Sequence, residues 1–130
     1  MEGEVGRRRP RGSVSSHRVS DKFIDVATLA IMRMSREAQE FLTLRNCVVR
    51  CLERLNSSPW PKLPDAVRRF QSTDYRGNKA IALNLTPDEQ TLFSHARAAL
   101  AEEFGGGYTN LDVMVIAMFA YLAVLPGSRL

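Results

Sequence analysis

Five arginines, Arg7, Arg8, Arg9, Arg11 and Arg18, fall within the first twenty residues. A guanidinium group offers two parallel N–H donors to a phosphate, so such a run suits a nucleic-acid backbone. A second group lies in Lys79–Leu85, KAIALNL, where residue types alternate. In an extended chain Ile81, Leu83 and Leu85 share one face, and Ala80, Ala82 and Asn84 share the other, with Lys79 at the entry. Of the second set only Asn84 has a carboxamide, the group that pairs with both N6 and N7 of adenine. The third group is Thr109 and Asn110, at the start of an apolar helix. Unpaired backbone N–H groups at such a start can hold a phosphate.

Catalytic chemistry is harder to assemble. It needs a nucleophile with its base, paired carboxylates or a metal cluster. His95 stands among Ser94, Ala96 and Arg97 with no acid beside it, and His17 is the only other histidine. Cys47 and Cys51 share a helix face and read as small buried hydrophobes, since a metal would need two further ligands. Gly105-Gly106-Gly107 lacks the Gly-Lys-Ser/Thr of a phosphate loop and the spacing of a dinucleotide fingerprint, and reads as a turn. The expectation is a protein that is not an enzyme and carries no cofactor and no metal. Two cysteines do not make a secreted disulfide scaffold. No apolar core follows the N-terminal arginines, so a signal peptide is not expected and the location reads as cytoplasmic.

The elements that position these groups centre on Lys79–Leu125. Thr86-Pro87-Asp88-Glu89 has a capping residue, a proline at the first helical position and an acid where a capping box needs one. Leu92, Phe93, Ala96, Leu100 and Phe104 follow at helical spacing. The three glycines end that helix, and Thr109-Asn110-Leu111-Asp112 opens another. From Val113 to Leu125 every residue is apolar or Tyr. That is too short to span a bilayer, which takes about 20 residues. A helix apolar on all sides must be buried on all sides. A partner chain, or another part of this one, has to close it in.

Earlier in the chain, Met1–Ser20 is rich in Gly, Arg and Ser and reads as a disordered basic arm. Residues 21–70 read as an N-terminal helical region with a Pro-rich linker, and residues 71–130 as the strand–helix–helix unit. Asp21–Met34 admits two readings: a helix capped by Ser20, favoured by its Ala and Met content, or an extended Thr28–Met34. Ser35–Asn56 reads as one helix with Phe41, Leu44, Val48, Cys51, Leu52 and Leu55 on its apolar stripe. Prolines 59, 61 and 64 stop it. A short apolar run, a Ser or Thr and then an acid open both Leu29–Glu37 and Ala80–Glu89, a faint echo of a duplicated unit. Positive charge lies ahead of the organising unit: residues 1–22 hold six Arg or Lys against three acids, and residues 79–130 three against five. Basic segments favour anionic partners.

A lone strand must pair, and two copies can form an antiparallel ribbon of the kind that enters the major groove. The stretch Lys79–Leu85, Thr86–Phe104, the glycine turn and Thr109–Ala123 resembles the ribbon-helix-helix superfamily of DNA-binding proteins, most closely at Leu85-Thr86-Pro87-Asp88-Glu89. The resemblance covers about 45 residues. It implies a mainly α fold with one short β-strand, a homodimer joined through a two-stranded ribbon, and double-stranded DNA as partner. It places Ala80, Ala82 and Asn84 on base edges. Two settings fit: plasmid-transfer and partition accessory proteins, and repressors and antitoxins. The echo also looks like the fused, double form found in DNA-transfer machinery. No membrane contact is implied, and the N-terminal region is where a protein partner would dock. The rival is a helical protein–protein interaction module that does not bind DNA, in which the same buried helix serves an obligate dimer.

Overall fold

The strand expected over Lys79–Leu85 forms, and its partner lies in the same chain. The computed structural model describes residues 13–57 and 63–123. The Arg7–Arg11 run, Pro59-Trp60-Pro61 and the Pro126–Leu130 tail lie outside the described residues. The order is β1 (Ser13–Val19), α1 (Asp21–Ala38), α2 (Leu44–Ser57), α3 (Leu63–Gln71), β2 (Lys79–Leu85), α4 (Pro87–Phe104) and α5 (Asn110–Ala123). β1 and β2 form a two-stranded antiparallel sheet in which Ser13 lies opposite Leu85, Ser16 opposite Ala82 and Val19 opposite Lys79. The fold is thus mainly helical with one short sheet.

The chain carries one strand–helix–helix unit twice. Both strands have 7 residues, α1 and α4 both have 18, and α2 and α5 both have 14. Each element of the second unit starts 66 positions after its counterpart: Ser13 and Lys79, Asp21 and Pro87, Leu44 and Asn110. Buried positions follow the same shift. Ala27, Ala30 and Met34 of α1 answer to Phe93, Ala96 and Leu100 of α4, and Cys47, Val48, Cys51 and Leu52 of α2 to Val113, Met114, Ala117 and Met118 of α5. The echo noted in the sequence paired Leu29–Glu37 with Ala80–Glu89. The repeat instead matches Val14–Ser20 with Ala80–Thr86, because Ser20, not Ser35, opens the first helix.

Local chemistry fixes the boundaries. Ser20 caps α1, its hydroxyl accepting from Phe23 N at 3.4 Å. Thr86 and Glu89 form the expected capping box on α4. Residues 28–34 are helical, as the Ala and Met content favours. Two expectations are corrected. Ser13–Val19, assigned to a disordered arm, is a strand, since a segment with few apolar residues orders once it has a ladder to join. The single helix expected over Ser35–Asn56 is two helices. Gln39 takes a left-handed conformation at φ 58°, the place Gly105 fills with φ 77° after α4. Ser35 Oγ accepts from Leu42 N at 3.1 Å, Leu42 is buried, and Thr43 caps α2 through Asn46 N at 3.1 Å. The turn is held by these contacts without glycine or proline.

α5 is enclosed by the chain itself. Leu111 and Val113–Leu122 are buried, and α1, α2, α3 and α4 all pack on α5. The first helix of each unit lies against the second helix of the other, α1 on α5 and α4 on α2. α3 covers the remaining side. Ala66 and Val67 are buried there, Phe70 stacks on Tyr75, and the Tyr75 ring meets Phe119 edge-on at 5.9 Å. At the positions equivalent to Ile116, Phe119 and Leu122, α2 has Arg50, Glu53 and Asn56, so its outer side needs no cover. The one polar side chain late in α5, Tyr121, donates to Glu37 Oε1 at 2.9 Å. The homodimer expected to pair one strand from each chain therefore loses its ground: the second strand and the cover for α5 both come from the same polypeptide.

Two substitutions test this architecture. A Cβ on Gly77 would come within 2.6 Å of Ser20 Cα and Val19 O, both backbone. Gly77→Ala should cost about 1–3 kcal/mol in urea unfolding, and an unchanged midpoint would contradict the β1–β2 junction. Met118→Asp buries an unpaired charge in the core. A loss above about 4 kcal/mol is expected, enough to abolish the cooperative thermal transition followed by circular dichroism.

Candidate functional site

The sheet has one covered face and one open face. Val19, Leu83 and Leu85 are buried, and Ser15, His17 and Ile81 are half-buried. The period of two sends the alternate residues outward: Val14, Ser16 and Arg18 on β1 and Ala80, Ala82 and Asn84 on β2, all exposed. The placement of Ala80, Ala82 and Asn84 against Ile81, Leu83 and Leu85 is the one expected. Across the ladder Val14 faces Asn84, Ser16 faces Ala82 and Arg18 faces Ala80. Three of these six side chains are Ser or Ala, so the strands present a low surface that another backbone can approach. A hollow of about 400 Å³ opens beside Arg18, lined by Ser16, His17, Arg18, Ala80, Ile81 and Ala82.

Cations gather at the end of the sheet where β1 finishes and β2 begins. Arg18 donates Nη1 to Asn78 O at 3.4 Å. Lys79 Nζ lies 3.3 Å from Asp21 Oδ1. Arg76 pairs with Asp74 at 3.1 Å, and that hydrogen bond draws the exposed Asp74 carboxyl below its ordinary range. The opposite end is held by Arg45, which donates Nε to Asn84 O at 2.8 Å and pairs with Glu89 through Nη2. Arg45 thereby ties α2 to β2 and to the start of α4.

The two second-helix starts differ. At α5, Thr109 and Asp112 cap each other, with Asp112 Oδ2 accepting from Thr109 N at 2.9 Å and Thr109 Oγ1 accepting from Asp112 N at 3.1 Å. Asn110 Oδ1 accepts from Arg97. A groove of about 480 Å³ beside this start is lined by residues that include Asp74, Arg76, Thr109 and Asp112, so two carboxylates stand where a phosphate was expected. At α2 the corresponding start is Thr43-Leu44-Arg45-Asn46, with the neutral Asn46 in place of Asp112 and Arg45 in place of Leu111.

Of the residues singled out in the sequence, the structure brings Arg18, Lys79, Ala80, Ala82 and Asn84 together on the sheet. Thr109 and Asn110 lie at the start of α5. Arg7, Arg8, Arg9 and Arg11 lie outside the described residues. Val14, Ser16 and Arg45 were missed. The signal for β1 was present as VSSHRV, two valines bracketing an alternation, but its inner face carries Ser15 and His17 where β2 carries Ile81 and Leu83. Cys47 and Cys51 are buried free thiols. Among the described residues no three His, Cys, Asp or Glu side chains gather as metal ligands, and no helix is long and apolar enough to cross a membrane.

Comparison of the chain with protein-family models, with curated proteins and with solved structures gives no match in any of the three.

His17 provides a test of the sheet. Its Nε2 is hydrogen-bonded to Ser15 Oγ at 2.7 Å, and burial holds its pKa below the ordinary 6.5. The unfolded chain then binds the proton more readily than the folded one. The stability due to neutral His17 is complete above about pH 6.5 and declines as pH falls toward the lowered value. Urea midpoints measured from pH 7 to pH 5 should fall for the natural chain, and His17→Gln should flatten that slope. An identical slope in the variant would place His17 in free solvent.

Proposed function

We propose that this chain binds double-stranded DNA as a ribbon-helix-helix protein with both halves fused in one polypeptide. The observation that carries this reading is the open face of the β1–β2 sheet. An antiparallel two-stranded ribbon matches the width of the major groove and sets alternate side chains on base edges. The outward set, Val14, Ser16, Arg18, Ala80, Ala82 and Asn84, is exposed, while the inner set packs on the helices. Arg18 flanks it at one end with Arg76 and Lys79, which are paired with Asp74 and Asp21, and Arg45, paired with Glu89, stands at the other. The Arg7–Arg11 run precedes β1 in sequence and adds phosphate contacts with little sequence preference. The start of α2, with Thr43 as cap and Arg45 beside it, is the better-placed of the two helix starts for a phosphate. Plasmid-transfer or partition accessory work and transcriptional repression are the settings this architecture serves.

A second reading rests on Phe41, an aromatic side chain left wholly in solvent in the α1–α2 turn. In that reading the protein is an interaction module, and Phe41 anchors a protein partner. Titration with short duplexes at several salt concentrations separates the two. DNA binding predicts an affinity that falls with salt, with a slope of about −0.9 per phosphate contact. Removing Met1–Gly12 should lower the slope and weaken preferred and random duplexes by similar factors. The deletion must stop there, since Ser13 begins β1. No detectable duplex binding at low salt would end the DNA reading in favour of the interaction module.

A further inference from the structure

The 66-residue shift between the two units makes the sheet approximately two-fold, and the twofold passes through the Ser16–Ala82 pair. Val14 then corresponds to Ala80, Ser16 to Ala82 and Arg18 to Asn84. A true two-fold dimer would present the same side chain at both ends of its ribbon. This sheet does not. At one end Asn84 faces Val14, and at the other Arg18 faces Ala80.

We infer that the sheet reads a non-palindromic duplex in one orientation, with Asn84 and Val14 on an A·T pair at one end and Arg18 on a guanine at the other. This rests on the DNA-binding reading above and deepens it. The chemistry at each end differs in kind. A carboxamide pairs with adenine N6 and N7, and an apolar side chain touches the thymine methyl, which lies in the same groove on the same base pair. Val14 fits that role: it is 59 % exposed on the open face, an apolar group that the core does not use. Directly opposed residues on neighbouring strands are close enough for Asn84 and Val14 to share one pair. The strand is also held in place at Asn84, whose backbone carbonyl accepts from Arg45 Nε at 2.8 Å and leaves the carboxamide unused. At the other end a guanidinium pairs with O6 and N7 of guanine. Ala80 opposite it leaves space, and the hollow beside Arg18 lets the side chain reach along the groove. Between the ends Ser16 and Ala82 are too small to discriminate strongly. The ends are four residues apart along each strand, about 13 Å, close to four base-pair steps. The flanking helix starts repeat the asymmetry, with Arg45 near one and Asp112 on the other.

The test is selection of duplexes from a randomised library by the full-length chain. Affinities are then measured for the selected site and for two symmetrised duplexes, each built by repeating one half of it. The expected motif has no dyad, with an A·T pair at one end and a G·C pair about four steps away. Each symmetrised duplex replaces one of the two contacts and should bind roughly 5- to 150-fold more weakly. Asn84→Ala should relax preference only at the A·T end, and Arg18→Ala only at the G·C end. Both side chains are exposed, so circular dichroism should be unchanged. A palindromic motif, equal binding of the symmetrised duplexes, or a uniform loss on all duplexes in Arg18→Ala would overturn the inference while leaving DNA binding intact. Retention of duplexes with no enriched sequence would do the same. Failure to retain any duplex at low salt would remove the DNA-binding reading itself.

Discussion

The antiparallel pairing of Ser13–Val19 with Lys79–Leu85 is the contact on which the rest of the molecule depends. Two strands far apart in sequence meet, and α1, α2 and α3 between them contribute to one core. The cost is the closure entropy of the intervening chain, which grows only slowly with its length. Ladder hydrogen bonds alone do not offset it, because an isolated two-stranded ribbon is marginal in water. The helices supply the rest. Val19, Leu83 and Leu85 are buried in the same core as Phe23, Phe93 and α5. Tying both strands into one polypeptide also removes the concentration dependence that a two-chain ribbon would carry.

The two halves differ where their surroundings differ. α2 and α5 bury the same four positions toward the shared centre, but their outer faces part company. α5 has Ile116, Phe119 and Leu122 where α2 has Arg50, Glu53 and Asn56. α3 accounts for this. It exists only in the connection between the halves, and it can cover only one of the two second helices. Arg69 and Tyr75 complete the cover, with the guanidinium 5.6 Å from the Phe119 ring centroid and the Tyr75 ring against its edge. On the other side Arg54 lies 5.2 Å over the Tyr121 ring, while Glu37 accepts the phenol hydrogen. Burial and the bond to Glu37 both push the Tyr121 phenol above its ordinary range. The apolar surface of α5 is thus a record of α3, not of a second chain.

Much of the second unit was legible because its signals are strong and local. Thr86-Pro87 with Glu89, the three glycines, Thr109 with Asp112 and the alternation of Ile81, Leu83 and Leu85 each act within a few residues, and each lies where it was read. The first unit hides the same plan behind weaker residues. Ser15 and His17 replace two of the inner apolar positions of β2, so the period of two has no hydrophobic contrast in β1. Gln39 takes the left-handed position that Gly105 marks openly, so the break between α1 and α2 left no glycine to read. The all-round burial of α5 was legible, but what closes it was not. Periodicity states that a face is covered; it carries no information on whether the cover is another chain, another half or an added helix. The open face of the sheet was half legible for the same reason. Its β2 residues were named, and its β1 residues were not.

Fusion changes what a two-fold scaffold can present to a ligand. In a homodimer one substitution on the ribbon alters both ends, so the exposed face remains two-fold and suits a two-fold partner. In a single chain each end is encoded separately. Arg18 and Asn84 occupy equivalent places with unlike side chains, and so do Val14 and Ala80. The inner face tolerates the same freedom only where packing allows it. His17 and Leu83 are equivalent, and the imidazole is accommodated by a bond to Ser15 and by remaining half-exposed, while Leu83 is fully covered. Val19 and Leu85, next to the helix caps on each side, are both buried and both aliphatic. The inner face of the sheet therefore keeps the twofold at Val19 and Leu85, beside the helix caps, and the open face drops it. Under the DNA-binding proposal, that division lets the two ends of the sheet offer unlike contacts.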